Sequence, residues 1–285
     1  MAGDLRAGRG TNPELAALLE DLHGTCWWCG KVADSLEHRH KRTDLERLWE
    51  GSRAPVWGGD GGRVETLRGP NSKSRSVRFG AVLCQNCNNA RSQPFDRAYE
   101  VFSAALVDGM DGWWEADGVD LGAIYGPEWR TEALKLARYH VKNMGCQMAD
   151  HGVRPPQSMV AFLDGEPSMP DVGLYLVKSE SHYGGHKLFR QFGPNSGLFR
   201  PDDHVYFSPT RGRITGYEAM AIIGYVGVAL AWSEAPDDHD SFFMHEFPVL
   251  NQIPADPGFA EELASLVLQA LGNDPPQDAD RERNL

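Results

Sequence analysis

The chain has 285 residues, about twice a common single-domain length; its 41% hydrophobic and 24% charged residues are ordinary for a folded protein and exclude a globally disordered one. The formal net charge of −12 argues against a general nucleic-acid coat. The charge is uneven, however: residues 1–100 hold 15 Lys/Arg against 13 Asp/Glu, while residues 101–285 hold 13 against 27. Residues 63–91 are basic, with Arg63, Arg68, Lys73, Arg75, Arg78 and Arg91 set against Glu65 alone. No apolar signal segment follows Met1, and the longest apolar run, Ala219 to Trp232, is broken by Gly224 and Gly227. It falls short of the roughly 20 residues of a spanning helix, so a cytoplasmic protein with no membrane partner is expected.

In chain order, Thr11-Asn12-Pro13-Glu14 opens an amphipathic helix with Leu15, Leu18, Leu19 and Leu22 on one face, ending at His23-Gly24. Val32 to His38 suits a strand, Thr43 to Trp49 a short capped helix, and Gly51 to Gly62 a loop. Arg63 to Arg68 and Ser74 to Leu83 alternate as the strands of a hairpin turning at Gly69-Pro70-Asn71. A helix follows over Phe95 to Val107 and a long one over Pro127 to Asp150, with Pro155-Pro156 as a boundary. Beyond it the pattern reads mainly β: Ser158 to Leu163, Gly173 to Lys178 and Val205 to Phe207 are short apolar runs between turn residues. Gly258 to Leu271 suits a helix and residues 273–285 a polar, disordered tail. The expected architecture is α+β. It comprises an N-terminal unit over 1–110, a helical connector over 111–155, a β-rich acidic unit over 156–272 and the tail.

Four of the five cysteines form two C-x-x-C pairs, Cys26/Cys29 and Cys84/Cys87. Without a secretion signal, such knuckles read as thiolate ligands rather than disulfides. Four thiolates complete the tetrahedron of Zn²⁺ and leave no open position, which makes the site structural. The 54 residues between Cys29 and Cys84 exceed a zinc-ribbon spacing, so a functional insertion is expected between the knuckles. Cys146 reads as a buried small apolar residue.

Within the insertion stands Glu37-His38-Arg39-His40-Lys41-Arg42, and after the last knuckle cysteine comes Asn88-Asn89-Ala90-Arg91. A neutral imidazole has the intrinsic pKa to take a proton from water at physiological pH. Glu37 and Asn88 offer hard oxygens suited to Mg²⁺, although Asn88 or Asn89 also suits a helix cap. His182 and His186 have H-x3-H spacing, but Gly184-Gly185 between them favours a loop over a metal site. Asp237-Asp238-His239-Asp240 reads as a solvated acidic loop.

The order C-x2-C, Glu-His, C-x2-C-Asn resembles the HNH, or His-Me finger (ββα-metal), endonucleases. The branch suggested has a ββα core clamped by a four-cysteine zinc site, with an Asn directly after the fourth cysteine. The resemblance covers residues 23–105. It implies an N-terminal ββα-metal domain that hydrolyses DNA phosphodiester bonds, with His38 as general base. Glu37 and Asn88 would hold a single Mg²⁺ or Mn²⁺, and Arg91 would steady the scissile phosphate. Arg39, His40, Lys41, Arg42, Arg63, Lys73, Arg75 and Arg78 are the expected nucleic-acid contacts. Many relatives carry His where Asn88 stands, and often His at the position of Phe95. That difference keeps open an inert zinc domain that binds DNA, or that binds a protein partner through its acidic C-terminal half.

Overall fold

Why the first helix stops early is a matter of competing hydrogen bonds. Asn12 caps α1 (Pro13–Ala16), its Oδ1 accepting from the backbone N–H groups of Glu14 and Leu15 at 3.0 and 3.3 Å. The helix was expected to run to Leu22, but the chain leaves it after one turn because the Glu20 N–H donates to the Gly152 carbonyl, 2.8 Å away. Leu18, Leu19 and Leu22 then pack on the core from an irregular segment. The structure, a computed structural model, describes residues 2–4, 12–49, 56–59, 63–66, 77–189, 198–200, 203–235, 239–256 and 258. The expected terminal helix beyond Gly258 and the tail over 273–285 lie outside the described residues, as do Lys73 and Arg75.

The segment around Val32 to His38 runs antiparallel to the one around Val77 to Leu83. Ser35 and Leu83, and His38 and Arg78, form bridges, and the Arg39 and Phe79 N–H groups donate to Val77 and Glu37 carbonyls. This two-segment ribbon runs through the second knuckle into a π-helical turn (Cys87–Arg91) and then α3 (Gln93–Asp108). The expected hairpin is therefore re-paired. Arg63–Thr66 (β3) joins Val56–Gly59 (β2), which lies inside the stretch expected to be loop, whereas residues 77–83 pair back to the first knuckle's exit. Alternation marks strands but not their partners, and the close approach of the two cysteine pairs supplies the nearer partner. Helix α2 (Arg42–Trp49) branches off the ribbon as expected.

After α4 (Leu121–Tyr125) comes α5 (Trp129–Asp150), whose residues from Tyr139 to Ala149 are all buried. Ser158 to Leu163 is helical, not extended: Pro156 precedes α6 (Gln157–Asp164), and Met159, Phe162 and Leu163 bury one face. A short apolar run carries no period of its own, so packing decides. The sheet is formed from β4 (Val172–Ser179), β5 (Leu198–Phe199), β6 (His204–Ser208), β7 (Arg213–Ile223), β8 (Val226–Ser233) and β9 (Asn251–Ile253), with β1 (Ala2–Asp4) on β6. Its order is β1-β6-β7-β8-β4-β9, with β5 also on β7; β9 is parallel to β4 and the other pairs are antiparallel. The long apolar run is thus a hairpin: Gly224, at φ +63, turns β7 into β8. The His182/His186 segment is helix α7 (Glu180–Phe189) rather than loop. Tyr183 stacks on Trp114 at 4.1 Å and both histidines are buried, which outweighs a glycine cost of about 1 kcal/mol each.

The chain is mixed α+β, and one apolar cluster runs from Leu15 through α3, α5 and the sheet to Leu250. No described helix is long and apolar enough to cross a membrane. The first knuckle meets α5 at Gly145, where an added Cβ would lie 2.4 Å from the Trp27 ring, and the Trp27 Nε1–H points to the Cys146 sulfur at 3.5 Å. Gly145→Ala gains about 1 kcal/mol of helix propensity but forces overpacking that costs about 1–3 kcal/mol. Its melting temperature is expected to fall below wild type.

Buried histidines add a pH dependence. His140 is driven down to about 3 by burial and by the positive Arg200, and His40 is also held well below its usual value by burial, Arg200 and Arg39. Both stay neutral in the folded chain. The unfolded state takes up their protons first, so stability is full above about pH 6.5 and declines as pH falls from there toward 3. Chemical denaturation at pH 7 and pH 5 should show the lower midpoint at pH 5.

Candidate metal centre and catalytic site

The sulfur atoms of Cys26, Cys29, Cys84 and Cys87 all lie within 4.8 Å of one another, with Cys29 and Cys84 only 3.6 Å apart. Three of these cysteines are buried and Cys29 partly so. Burial raises the Cys26 and Cys87 thiols. Burial also opposes ionisation of Cys84, yet hydrogen bonds from the Cys87 N–H and the adjoining thiols bring it down to about 7. Four sulfurs so confined cannot all ionise against one another without a cation between them. The donor set fits a closed tetrahedral Zn²⁺.

Arg91, one turn beyond Cys87, is committed to this centre. Its Nη1 donates to the Cys87 sulfur at 3.4 Å, its guanidinium lies over the Trp28 ring at 4.1 Å, and its Nη2 pairs with Asp164. Asp164 also accepts from Trp28 Nε1 at 2.7 Å. Arg91 therefore fastens the knuckle to the end of α6, and the guanidinium expected to steady a phosphate is taken up by Cys87, Trp28 and Asp164.

Asn88 Nδ2 donates to Ser35 Oγ at 2.8 Å, joining helix to strand. The Asn88 Oδ1 is buried without a hydrogen-bond partner, and so is His38 Nε2. Burial, then the positive charge of Arg78, lowers His38 against the opposing pull of Glu37, leaving a neutral imidazole at pH 7. Glu37 is not open: the Lys142 ammonium of α5 stands 2.9 Å from its Oε1. The same ammonium is 3.2 Å from Asp96 Oδ1 and 3.5 Å from Ser92 Oγ, which itself donates to the Asn88 carbonyl at 2.9 Å. Lys41 approaches Asp96 from the outside at 3.1 Å. Glu37, Ser92 and Asp96 thus form one polar cluster around Lys142, reaching the Asn88 backbone carbonyl through Ser92, while the His38 carbonyl accepts from Asn143 Nδ2 at 3.0 Å.

The buried, unpartnered Asn88 Oδ1 is an oxygen that a water or a hard cation would satisfy, whereas Glu37 is already held by Lys142. Asp96 and Lys142 were not foreseen. A lysine at the Tyr139, Cys146 side of a buried helix is the signal that could have flagged the second.

The expected nucleic-acid contacts divide. Arg39 pairs with Asp150 at 2.7 Å and lies over Phe79; His40 is buried in the core. Lys41 is held by Asp96 and Glu100, and Arg42 is exposed beside Glu46. Arg78 is half-buried at its bridge to His38, and Arg63 lies on β3.

No family model matches this chain, and no characterised protein or solved structure shows significant similarity to it.

Elemental analysis of purified protein is expected to find about one Zn²⁺ per chain. Cys87→Ala should lose the metal, and a strong chelator should lower the melting temperature of the wild type sharply, because the binding energy of a structural zinc is folding energy.

Proposed function

We propose that the protein is a zinc-clamped HNH-type endonuclease that hydrolyses DNA phosphodiester bonds, with His38 as the general base. The observation that carries this reading is a neutral His38 beside Glu37 on a ribbon that is tied to Asn88 through Ser35 and locked by the four-cysteine cluster. His38 takes the proton of the attacking water. Its Nε2 has no competing protein partner, and its backbone is fixed by the bridge to Arg78 and by Asn143. Asn88 and Glu37 would hold Mg²⁺ or Mn²⁺, which supplies charge stabilisation at the phosphate and the leaving oxygen. Arg42 and the basic stretch over 63–78 would meet the DNA backbone through salt-sensitive contacts.

A second reading, an inert module that binds DNA or a protein, is favoured by one observation: Lys142 already neutralises Glu37. Incubation of supercoiled plasmid and branched DNA with Mg²⁺ or Mn²⁺ separates the two. Binding without cleavage under either metal would leave the second reading standing.

For the enzyme, His38→Ala should cost about 10²–10⁴-fold in cleavage rate with zinc content unchanged. Because the base must be neutral and burial lowers its pKa, the wild-type rate should rise with pH to a plateau. The midpoint of that rise should lie below the ordinary histidine value of about 6.5. A midpoint above 6.5, or an unimpaired His38→Ala, would remove His38 from the role.

A further inference from the structure

Lys142 is the most thoroughly enclosed charge near the proposed catalytic cluster, with its side chain 1% exposed. A buried ammonium stays charged only if carboxylates surround it. The two carboxylates reach it from different elements, Glu37 from the ribbon at 2.9 Å and Asp96 from α3 at 3.2 Å. The ammonium therefore sits where two acidic side chains converge beside the Asn88 turn, linked to that turn through Ser92. A divalent ion bound to Glu37 Oε1 would come close to this fixed positive charge, which stands 2.9 Å from that oxygen. Like charges at such separations in a poorly solvated site repel strongly.

We propose that Lys142 is a built-in competitor for the cation position: its ammonium neutralises Glu37 and Asp96 in the resting protein and keeps divalent-ion affinity low. This rests on the assignment of Glu37 and Asn88 as the ion's ligands. It makes Lys142 a positioning residue, because it is too enclosed to touch substrate. A metal ion would then enter fully only when extra negative charge, such as a DNA phosphate, offsets the lysine.

The test is binding of Mn²⁺ alone to the zinc-loaded full chain, followed by loss of the free-Mn²⁺ electron paramagnetic resonance signal. Lys142→Met should bind Mn²⁺ at least about tenfold more tightly than wild type, and Glu37→Gln added to it should abolish the gain. A purely structural lysine predicts no gain, so equal or weaker Mn²⁺ binding by Lys142→Met would overturn the proposal. Should Lys142→Met fail to fold, thermal melting of Glu37→Gln decides. It strands part of the lysine's charge and should melt several degrees below wild type, whereas an unchanged melting temperature would overturn the pairing. Mn²⁺ affinity is read without DNA cleavage. A chain that never cuts DNA yet gains affinity in Lys142→Met would therefore retain the competitor and lose the endonuclease.

Discussion

Burial of the C-terminal half of α5 on every side is the constraint from which the rest of the architecture follows. From Tyr139 to Ala149 each residue is enclosed, including Lys142, Asn143 and Gln147. A polar side chain removed from water must find a partner or cost several kcal/mol, so each of these dictates where a neighbouring element has to lie. Lys142 calls for the carboxylates of Glu37 and Asp96; Asn143 reaches the His38 carbonyl; Gln147 donates to Asp203 at 2.5 Å. At the helix end Asp150 accepts from the Gly80 N–H and pairs with Arg39, and these partners hold its carboxyl below the ordinary range even though burial works the other way. Arg200 closes the system, donating to the Arg39 carbonyl, Asn143 and Gln147.

The four-cysteine cluster and this helix divide the labour. The four sulfurs fix the ribbon against the start of α3, and Arg91 and Trp27 carry that fixation to α6 and α5. The helix then sets the charge environment on the opposite face of the ribbon. His38 and Asn88 owe their backbone positions to the metal side and to α5 together, which is why the candidate site has both a rigid frame and an unusual internal cation.

The parts legible in the sequence were those with local signals. The two knuckles, the capped α2, the periodic α3 and α5, and the runs that became β4 and β6 depend on neighbours within a few residues. The parts that were not legible depend on partners far along the chain. Residues 63–68 and 74–83 both alternate, and nothing in either states which strand each will meet. The α7 segment carries two adjacent glycines, and the stacking of Tyr183 on Trp114 together with burial of His182 and His186 holds it as a helix. At the site, Glu37, His38 and Asn88 stood out because of the cysteines that frame them. Lys142 and Asp96 did not, since a lone lysine in a helix and a lone aspartate after a proline are ordinary until the fold brings them together.

Asn143 touches the ribbon through the His38 carbonyl and the sheet side through Arg200, whose own strand neighbours lie more than fifty residues further along the chain. Substitutions along this stretch of α5 therefore cannot be weighed one at a time. Residues that share a hydrogen-bonded network show interaction energies of about 0.5–3 kcal/mol in double-mutant cycles, of either sign. Exchanges at Glu37, Lys142, Asn143 and Arg200 should thus be tolerated in matched sets more readily than singly, so that the ribbon half and the sheet half of this chain must change together if they change at all.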